Sequence, residues 1–116
     1  MLIGELARLT GVSPRALRHY EDQGLLVPVR TTGGYRDYSD DDIVRVAQIR
    51  AMIAAGMGTS LIRRYLDCAR SGDHGVSLEM CPDLRAELDS LAQRLSARRA
   101  EIRQREQQLR RLAQVR

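Results

Sequence analysis

The sequence predicts a mainly α-helical protein: a helix-turn-helix domain with a small β-hairpin wing, followed by a long coiled-coil helix. Two observations place the domain in residues 1–70: short amphipathic segments end at glycine-containing turns, and a Gly33-Gly34 pair separates two short β-prone runs. A third observation, leucine and isoleucine at heptad spacing after Pro82, predicts the coiled coil. We therefore expect a domain at 1–70, a hinge at 71–82 and a dimerisation helix at 83–116.

The composition limits how this chain builds a core. Its 116 residues suit one domain, or a domain with an appendage, near the lower end for a self-sufficient core. Phe and Trp are absent and only four Tyr occur, so the core volume must come from aliphatic residues and Met. A chain of this kind gains stability from a partner.

The charge pattern favours a phosphate-rich partner without locating it. All 19 basic residues are Arg and the formal net charge is +4, divided equally on either side of residue 70. Arginine forms bidentate contacts with phosphate and guanine, although a GC-rich genome explains the absence of Lys equally well. No export signal or membrane-length apolar run is visible, so we expect a cytoplasmic protein with no membrane partner.

The first two helices form the predicted helix-turn-helix. An amphipathic helix around Leu6 should end at Gly11, and Ser13 should N-cap a second helix with Pro14 at its first position. A capping box would place Glu or Gln at position 16, where this chain has Ala16. The small side chain leaves the start of the second helix open to close approach.

The second helix has one apolar and one basic face. Leu17 and Leu25 point inward, and Gly24 ends the helix. The opposite face carries Arg15, Arg18, His19 and Asp22. Folding alone does not require this basic face, which is typical of a helix-turn-helix that contacts DNA.

The segment RTTGGYRDYS predicts the wing. Gly33-Gly34 favours a hairpin turn, and alternation along the following residues fits a short strand. Arginine supplies phosphate contacts, and tyrosine supplies a hydroxyl donor or a stacking face. The wing residues expected to contact DNA are Arg30, Tyr35, Arg36 and Tyr38. For Tyr38, packing on the core is an equal alternative.

Two further helices complete the predicted domain. Ser39 and Asp42 should begin the third helix, and Thr59 or Ser60 should cap the fourth. The apolar stripe predicted for the third helix is Ile43, Val46, Ala47, Ile53, Ala54 and Met57. The fourth should turn Leu61, Ile62, Tyr65 and Leu66 inward. The segment RSGDHGVS that follows reads as a flexible hinge.

The heptad seam predicts a homodimer. A helix of about 30 residues extends about 45 Å, too far to bury its seam against a domain of about 70 residues. The only other long helix available is its own copy; a solvated helix would explain the charges but not the leucines. Arg98 and Arg105 occupy two core-type positions of the seam. The expected interface residues are Leu84, Leu88, Leu91, Leu95, Ile102, Leu109 and Leu112.

Residues 1 to about 70 resemble the mercury-resistance-regulator (MerR) family of bacterial transcription factors. The resemblance lies in the string R-x-Y-E-x-x-G-L-L-x-P-x-R…G-Y-R-x-Y, followed by a helix and a coiled coil. It implies a winged helix-turn-helix whose second helix enters the major groove, and an antiparallel coiled-coil dimer that sets the distance between two half-sites. It also implies binding to promoters with an overlong spacer, which the dimer bends and untwists near RNA polymerase.

The resemblance assigns roles to individual residues. It places Arg15, Ala16, Arg18 and His19 at major-groove positions, Tyr20 at a phosphate, and residues 57–60 in a second wing. The DNA-binding set is then Ser13, Arg15, Ala16, Arg18, His19, Tyr20, Arg30, Tyr35, Arg36 and Tyr38. Two positions depart from the family pattern: Ile53 stands where many relatives carry a basic residue, and Gly58 opens the second wing.

Other functions have less support in the sequence. No nucleophile, paired carboxylates or phosphate loop accompanies the two histidines, so we expect no enzyme and no cofactor. Cys68 and Cys81 should be ordinary thiols and no metal site is predicted, but with His74 they are the residues from which a metal or redox sensor would be built. The effector is not identified by the sequence. An architectural protein of the excisionase type and a coiled-coil adaptor are the remaining alternatives.

Overall fold

The computed structural model describes residues 1–114, and the last two residues of the predicted dimerisation helix lie outside that range. Its helices are α1 (Ile3–Thr10), α2 (Pro14–Asp22), α3 (Asp40–Ala54), α4 (Thr59–Tyr65) and α5 (Pro82–Leu112), with a 3-10 turn at Leu66–Cys68. Its strands are β1 (Val29–Arg30), β2 (Arg36–Asp37), β3 (Ala69–Gly72) and β4 (Gly75–Leu78). Two compact units divide between Glu79 and Met80.

The predicted helix-turn-helix is present. α1 ends at Gly11, whose φ of 72° lies in the left-handed region that glycine adopts without steric cost. The Ser13 hydroxyl then accepts the backbone N–H of Ala16 at 3.1 Å and so caps α2. α2 ends before Gly24, which also has a positive φ of 75°. Local sequence signals therefore fix the start and the end of the second helix.

The core of the first unit is aliphatic. Its fully buried side chains include Leu6, Leu17, Leu25, Leu26, Val46, Ile49 and Ile62. The predicted stripe of α3 is wrong in part, because Val46, Ile49 and Met52 are buried whereas Ile53 is exposed. α3 carries apolar residues around most of its circumference, so its sequence alone fits more than one stripe.

The predicted wing is a small antiparallel hairpin. β1 and β2 pair Val29 with Asp37 and Arg30 with Arg36. The turn closes with a hydrogen bond from the N–H of Gly34 to the carbonyl of Thr31 at 2.9 Å. Each strand has only two residues, so the hairpin depends on contacts with the rest of the domain for its position.

The segment expected to be a flexible hinge contains a second hairpin. β3 and β4 pair antiparallel from Ala69 with Leu78 to Gly72 with Gly75, which leaves a two-residue turn. The glycines and Asp73 that predict a hinge form the turn of this hairpin, so the segment has regular structure on both sides of the turn. Val76 and Leu78 alternate with exposed residues, as expected of a half-buried strand.

α5 is a helix of 31 residues that begins with a cysteine cap. The Sγ atom of Cys81 accepts the backbone N–H of Leu84 at 3.4 Å, and Pro82 follows the cap. Leu84 is fully buried, Leu88 and Leu91 are half-buried, and the seam is exposed from Leu95 onward. Within residues 1–114, none of the helices is both long enough and apolar enough to cross a membrane.

Candidate nucleic-acid interface

The exposed face of α2 is basic. Arg15, Arg18 and His19 are all exposed, and the buried Leu17 fixes the opposite face of the helix in the core. Ser13 is exposed at the N-terminus, while Ala16 and Tyr20 are half-buried beside the basic face. The structure therefore brings the predicted α2 residues to one surface, with the small side chains of Ser13 and Ala16 at the helix start.

Three arginines from α3 and α4 hold the ends of the helix-turn-helix. Arg63 donates from Nε to the carbonyl of Gln23 at 2.7 Å, at the C-terminal end of α2. Arg45 donates to the carbonyl of Leu25 at 2.8 Å, and Arg50 donates to that of Thr10 at 3.0 Å. Cations near free carbonyls at helix ends are stabilising. These contacts connect α3 and α4 to the residues on either side of α2.

The wing arginines are joined to α2 by one carboxylate. Arg36 donates from Nε to Oε2 of Glu21 at 2.7 Å, and Nη2 of Arg30 lies 3.9 Å from Oε1 of the same residue. Arg30 also donates from Nη1 to the carbonyl of Gly34 at 3.2 Å. Glu21 is not among the site residues predicted from the sequence. Its position as an acidic residue next to a basic helix face is the sequence signal that could have indicated it.

The two wing tyrosines have different environments. Tyr35 is 69% exposed and its backbone N–H donates to the Thr31 hydroxyl at 3.2 Å. Tyr38 is only 2% exposed, and its backbone N–H donates to the carbonyl of Met1 at 2.8 Å. The burial of Tyr38 favours the predicted alternative, packing on the core, over a contact with DNA. In a domain without Phe or Trp, the Tyr38 ring supplies core volume.

Comparison with known proteins identifies the family. A family model described as the MerR helix-turn-helix family regulatory protein matches residues 1–68, which include α1 to α4 and the wing. The chain belongs to the MerR family. Its members are DNA-binding transcription regulators, and the basic face of α2 and the wing lie within the matched residues.

Individual MerR-family relatives differ in how much of their length the chain spans. Nodulation protein NolA of Bradyrhizobium sp. strain NC92 is 52% identical over 66 residues, 56% of this chain but only 28% of NolA. The transcriptional regulator ZntR of Escherichia coli K12 is 32% identical over 111 residues, 95% of this chain and 76% of ZntR. The chain thus spans less than a third of one relative and most of another.

A solved structure shares the MerR-type fold over the whole chain. The N-terminal part of MtaN, the Bacillus subtilis multidrug transporter activator, is 28% identical and superposes with a TM-score of 0.74. The match covers 99% of both chains. The mainly helical fold with a hairpin wing and a long C-terminal helix is therefore confirmed.

The thiols do not form a cluster of metal ligands. Cys68 is half-buried and Cys81 is exposed, where its sulfur caps α5. Among residues 1–114, no three His, Cys, Asp or Glu side chains lie close enough to hold a metal ion together. Nothing in the described geometry favours the metal-sensor alternative over ordinary thiols.

The buried Tyr38 hydroxyl leads to a stability prediction. It has no hydrogen-bond partner in the described part of the chain, and burial raises the pKa of Tyr38 above its ordinary value, with the Glu21 carboxylate adding to the shift. Removing an unpaired buried hydroxyl should stabilise the fold, so Tyr38→Phe should raise the free energy of unfolding by about 1 kcal/mol. Urea denaturation near pH 7 measures this.

The same variant should change the alkaline limit of stability. The folded protein holds the Tyr38 proton more tightly than the unfolded chain does, so the pKa of Tyr38 is higher in the folded state. The contribution of this proton to the free energy of unfolding is therefore present in full below the unfolded pKa of about 10, and it is lost as the pH rises beyond that value. Tyr38→Phe removes this contribution, whereas the exposed control Tyr35→Phe leaves it in place. A less stable Tyr38→Phe protein would show that the hydroxyl has a partner.

Proposed function

We propose that this MerR-family chain binds promoter DNA as a homodimer and controls transcription by bending and untwisting the DNA between two half-sites. The observation that carries the proposal is the basic face of α2, with Arg15, Arg18 and His19 exposed beside a wing that carries Arg30 and Arg36. Arginine presented on the exposed face of a helix suits guanine recognition in the major groove.

The interface divides into reading and anchoring residues. Arg15, Arg18 and His19 read base edges, and Ala16 permits close approach of the helix start to the groove. The anchoring residues grip the phosphate backbone on both sides, and they are Ser13, Tyr20, Arg30, Tyr35 and Arg36. Contacts of the second kind supply affinity and orientation without sequence preference.

The exposed seam of α5 supports a homodimer. Leu95 is 55% exposed and Leu112 is 83% exposed, although both stand in heptad register. The interface we propose comprises Leu88, Leu91, Leu95, Ile102, Leu109 and Leu112. The predicted member Leu84 is fully buried in the described chain and is not part of the interface we propose. An exposed apolar stripe of this length, interrupted at Arg98 and Arg105, is characteristic of an interaction site.

The charge pattern of α5 favours an antiparallel pair. Asp83, Glu87 and Asp89 lie in the first third of the helix, whereas arginine predominates in the remainder. An antiparallel arrangement brings the acidic start of one helix beside the arginine-rich part of its copy, while a parallel arrangement places like charges together. Two DNA-binding domains at opposite ends of such a pair suit two separated half-sites.

Selection of binding sites from a random duplex library with the whole chain tests the proposal. We expect enrichment of two inverted half-sites at a fixed separation, because one dimer presents two copies of α2. Circularly permuted fragments of the selected site should migrate differently, which reports bending. Enrichment of a single half-site, or of no sequence, would contradict the proposal.

Transcription in vitro separates a regulator from an architectural protein. The selected site is placed between the two promoter elements, with spacers of normal and extended length, and RNA polymerase is added. We expect the protein to change transcription in a way that depends on spacer length. Bending with no effect at either spacer length would support the excisionase-like alternative.

A further inference from the structure

Glu21 is an acidic residue between the basic face of α2 and the arginines of the wing. It lies one turn after Leu17 on α2, and its side chain is only 18% exposed. Both of its carboxylate oxygens face wing arginines, Oε2 toward Arg36 and Oε1 toward Arg30. A single carboxylate thus connects α2, which we propose contacts the bases, to the wing, which we propose contacts the phosphates.

The wing depends on outside contacts for its position. With two residues in each strand, the hairpin is too short to hold its own orientation in water. The 2.7 Å bond from Arg36 to Glu21 is short and charge-assisted, and it is formed where the carboxylate is mostly removed from solvent. This bond therefore contributes more to the placement of the wing than an exposed surface ion pair does.

The bond also fixes the direction of a guanidinium group. Arg36 uses Nε for Glu21, which leaves its two Nη groups for a bidentate contact with a phosphate. The Arg36 side chain is 37% exposed, so part of it remains accessible to DNA. Fixing the side chain before binding removes part of the entropy that a mobile arginine loses when it contacts a phosphate.

We propose that Glu21 is a positioning residue that increases affinity for the operator although its charge repels DNA. It acts through Arg36, and secondarily through Arg30, by holding the wing at the distance from α2 that one stretch of duplex requires. The inference rests on the proposed function. It opposes the simple electrostatic expectation that removing an anion from a DNA-binding surface tightens binding.

Substitution of Glu21 tests the sign of the effect. We expect Glu21→Ala to weaken operator binding about 10-fold, and to reduce the salt slope by about two units, because each protomer of the dimer loses one wing phosphate contact. Glu21→Gln keeps an oxygen that accepts from Arg36, so its loss should be smaller than that of Glu21→Ala. Affinity for non-specific duplex should fall as well, because a phosphate contact contributes to binding of every sequence. Operator binding at or above the wild-type level in both variants would overturn the proposal.

Asp22→Ala is the matched control. Asp22 is the neighbouring acidic residue of α2 and is exposed, so its replacement removes the same charge without touching the wing arginines. We expect operator binding to be unchanged or tighter. A loss equal to that of Glu21→Ala would mean that acidic residues on α2 act generally, and would overturn the specific role of Glu21.

A double-mutant cycle identifies the partner. If Glu21 acts through Arg36, then Glu21→Ala should change operator affinity less than about two-fold when Arg36 is already Ala. Fully multiplicative effects would overturn the proposal. Thermal unfolding of each variant gives the folded fraction, and the near-isosteric Glu21→Gln keeps the comparison valid if Glu21→Ala unfolds.

The outcome separates this inference from the proposed function. Loss of binding in Arg18→Ala together with full binding in Glu21→Ala would reject the positioning role and leave the DNA-binding proposal intact. A wild-type chain that selects no operator would reject the proposed function itself.

Discussion

Replacing Leu91 and Leu95 together with Asp is expected to convert the protein to a monomer and to weaken operator binding at least about 100-fold. In the dimer each Asp would place an unpaired carboxylate in an apolar seam, which costs several kcal/mol per charge. A monomer then holds one half-site only, and it loses the gain that comes from linking two binding events. Sedimentation and operator titration measure the two effects separately.

A control variant on the opposite face of α5 isolates the seam. Gln93 and Ala100 are exposed and lie about half a turn away from the leucines, so Gln93→Asp with Ala100→Asp adds the same charge outside the interface. We expect this control to remain dimeric and to bind the operator. A dimer that survives in the Leu91 and Leu95 variant would place the interface elsewhere and would reject the seam.

The helix-turn-helix was predictable because its signals are local. Ser13 and Pro14 set the start of α2, and the positive φ of Gly11 and Gly24 marks the turns that enclose it. Each signal acts within one or two turns of helix, so a single sequence suffices to read it. The exposed basic face of α2 follows from the same 3.6-residue periodicity.

The contacts that mount this helix were not predictable in the same way. Arg63 and Gln23 are 40 residues apart, and Arg36 and Glu21 are 15 apart, so each contact exists only after tertiary packing. Tyr38 shows the same limit. Strand alternation allowed either face, and the Tyr38 ring is buried through packing that exists only in the folded domain.

The two short hairpins differ in how far local sequence signals predict them. Gly33-Gly34 predicted the wing, because a glycine pair between two β-prone runs is a strong signal for a hairpin turn. The β3–β4 hairpin has Gly72 and Gly75 around Asp73 and His74, which suits a hinge as well as a turn. Only pairing with the opposite strand, a property of the folded chain, distinguishes the two.

Arg18→Ala is expected to cost about 1–3 kcal/mol of operator binding, or roughly 5- to 150-fold in affinity, without loss of folding or dimerisation. Arg18 is exposed on α2 and is not one of the residues that hold the helix in place. Arg8→Ala, on α1, removes the same charge from another exposed site and serves as the control. A gel-shift titration of both variants against the selected operator gives the comparison. Wild-type affinity in Arg18→Ala would remove this residue from the interface.

The decisive measurement pairs the variant with changes in the DNA. If Arg18 reads a guanine, one base-pair change in each half-site should weaken the wild-type protein and leave Arg18→Ala almost unaffected, because the contact is already absent. Arg18→Lys keeps the charge but loses the planar fork, so it should retain salt dependence while discriminating poorly at that base pair. A phosphate contact predicts the opposite pattern, since affinity then falls equally for every sequence. Equal losses across all single base-pair changes would assign Arg18 to the backbone and leave base recognition to Arg15 and His19.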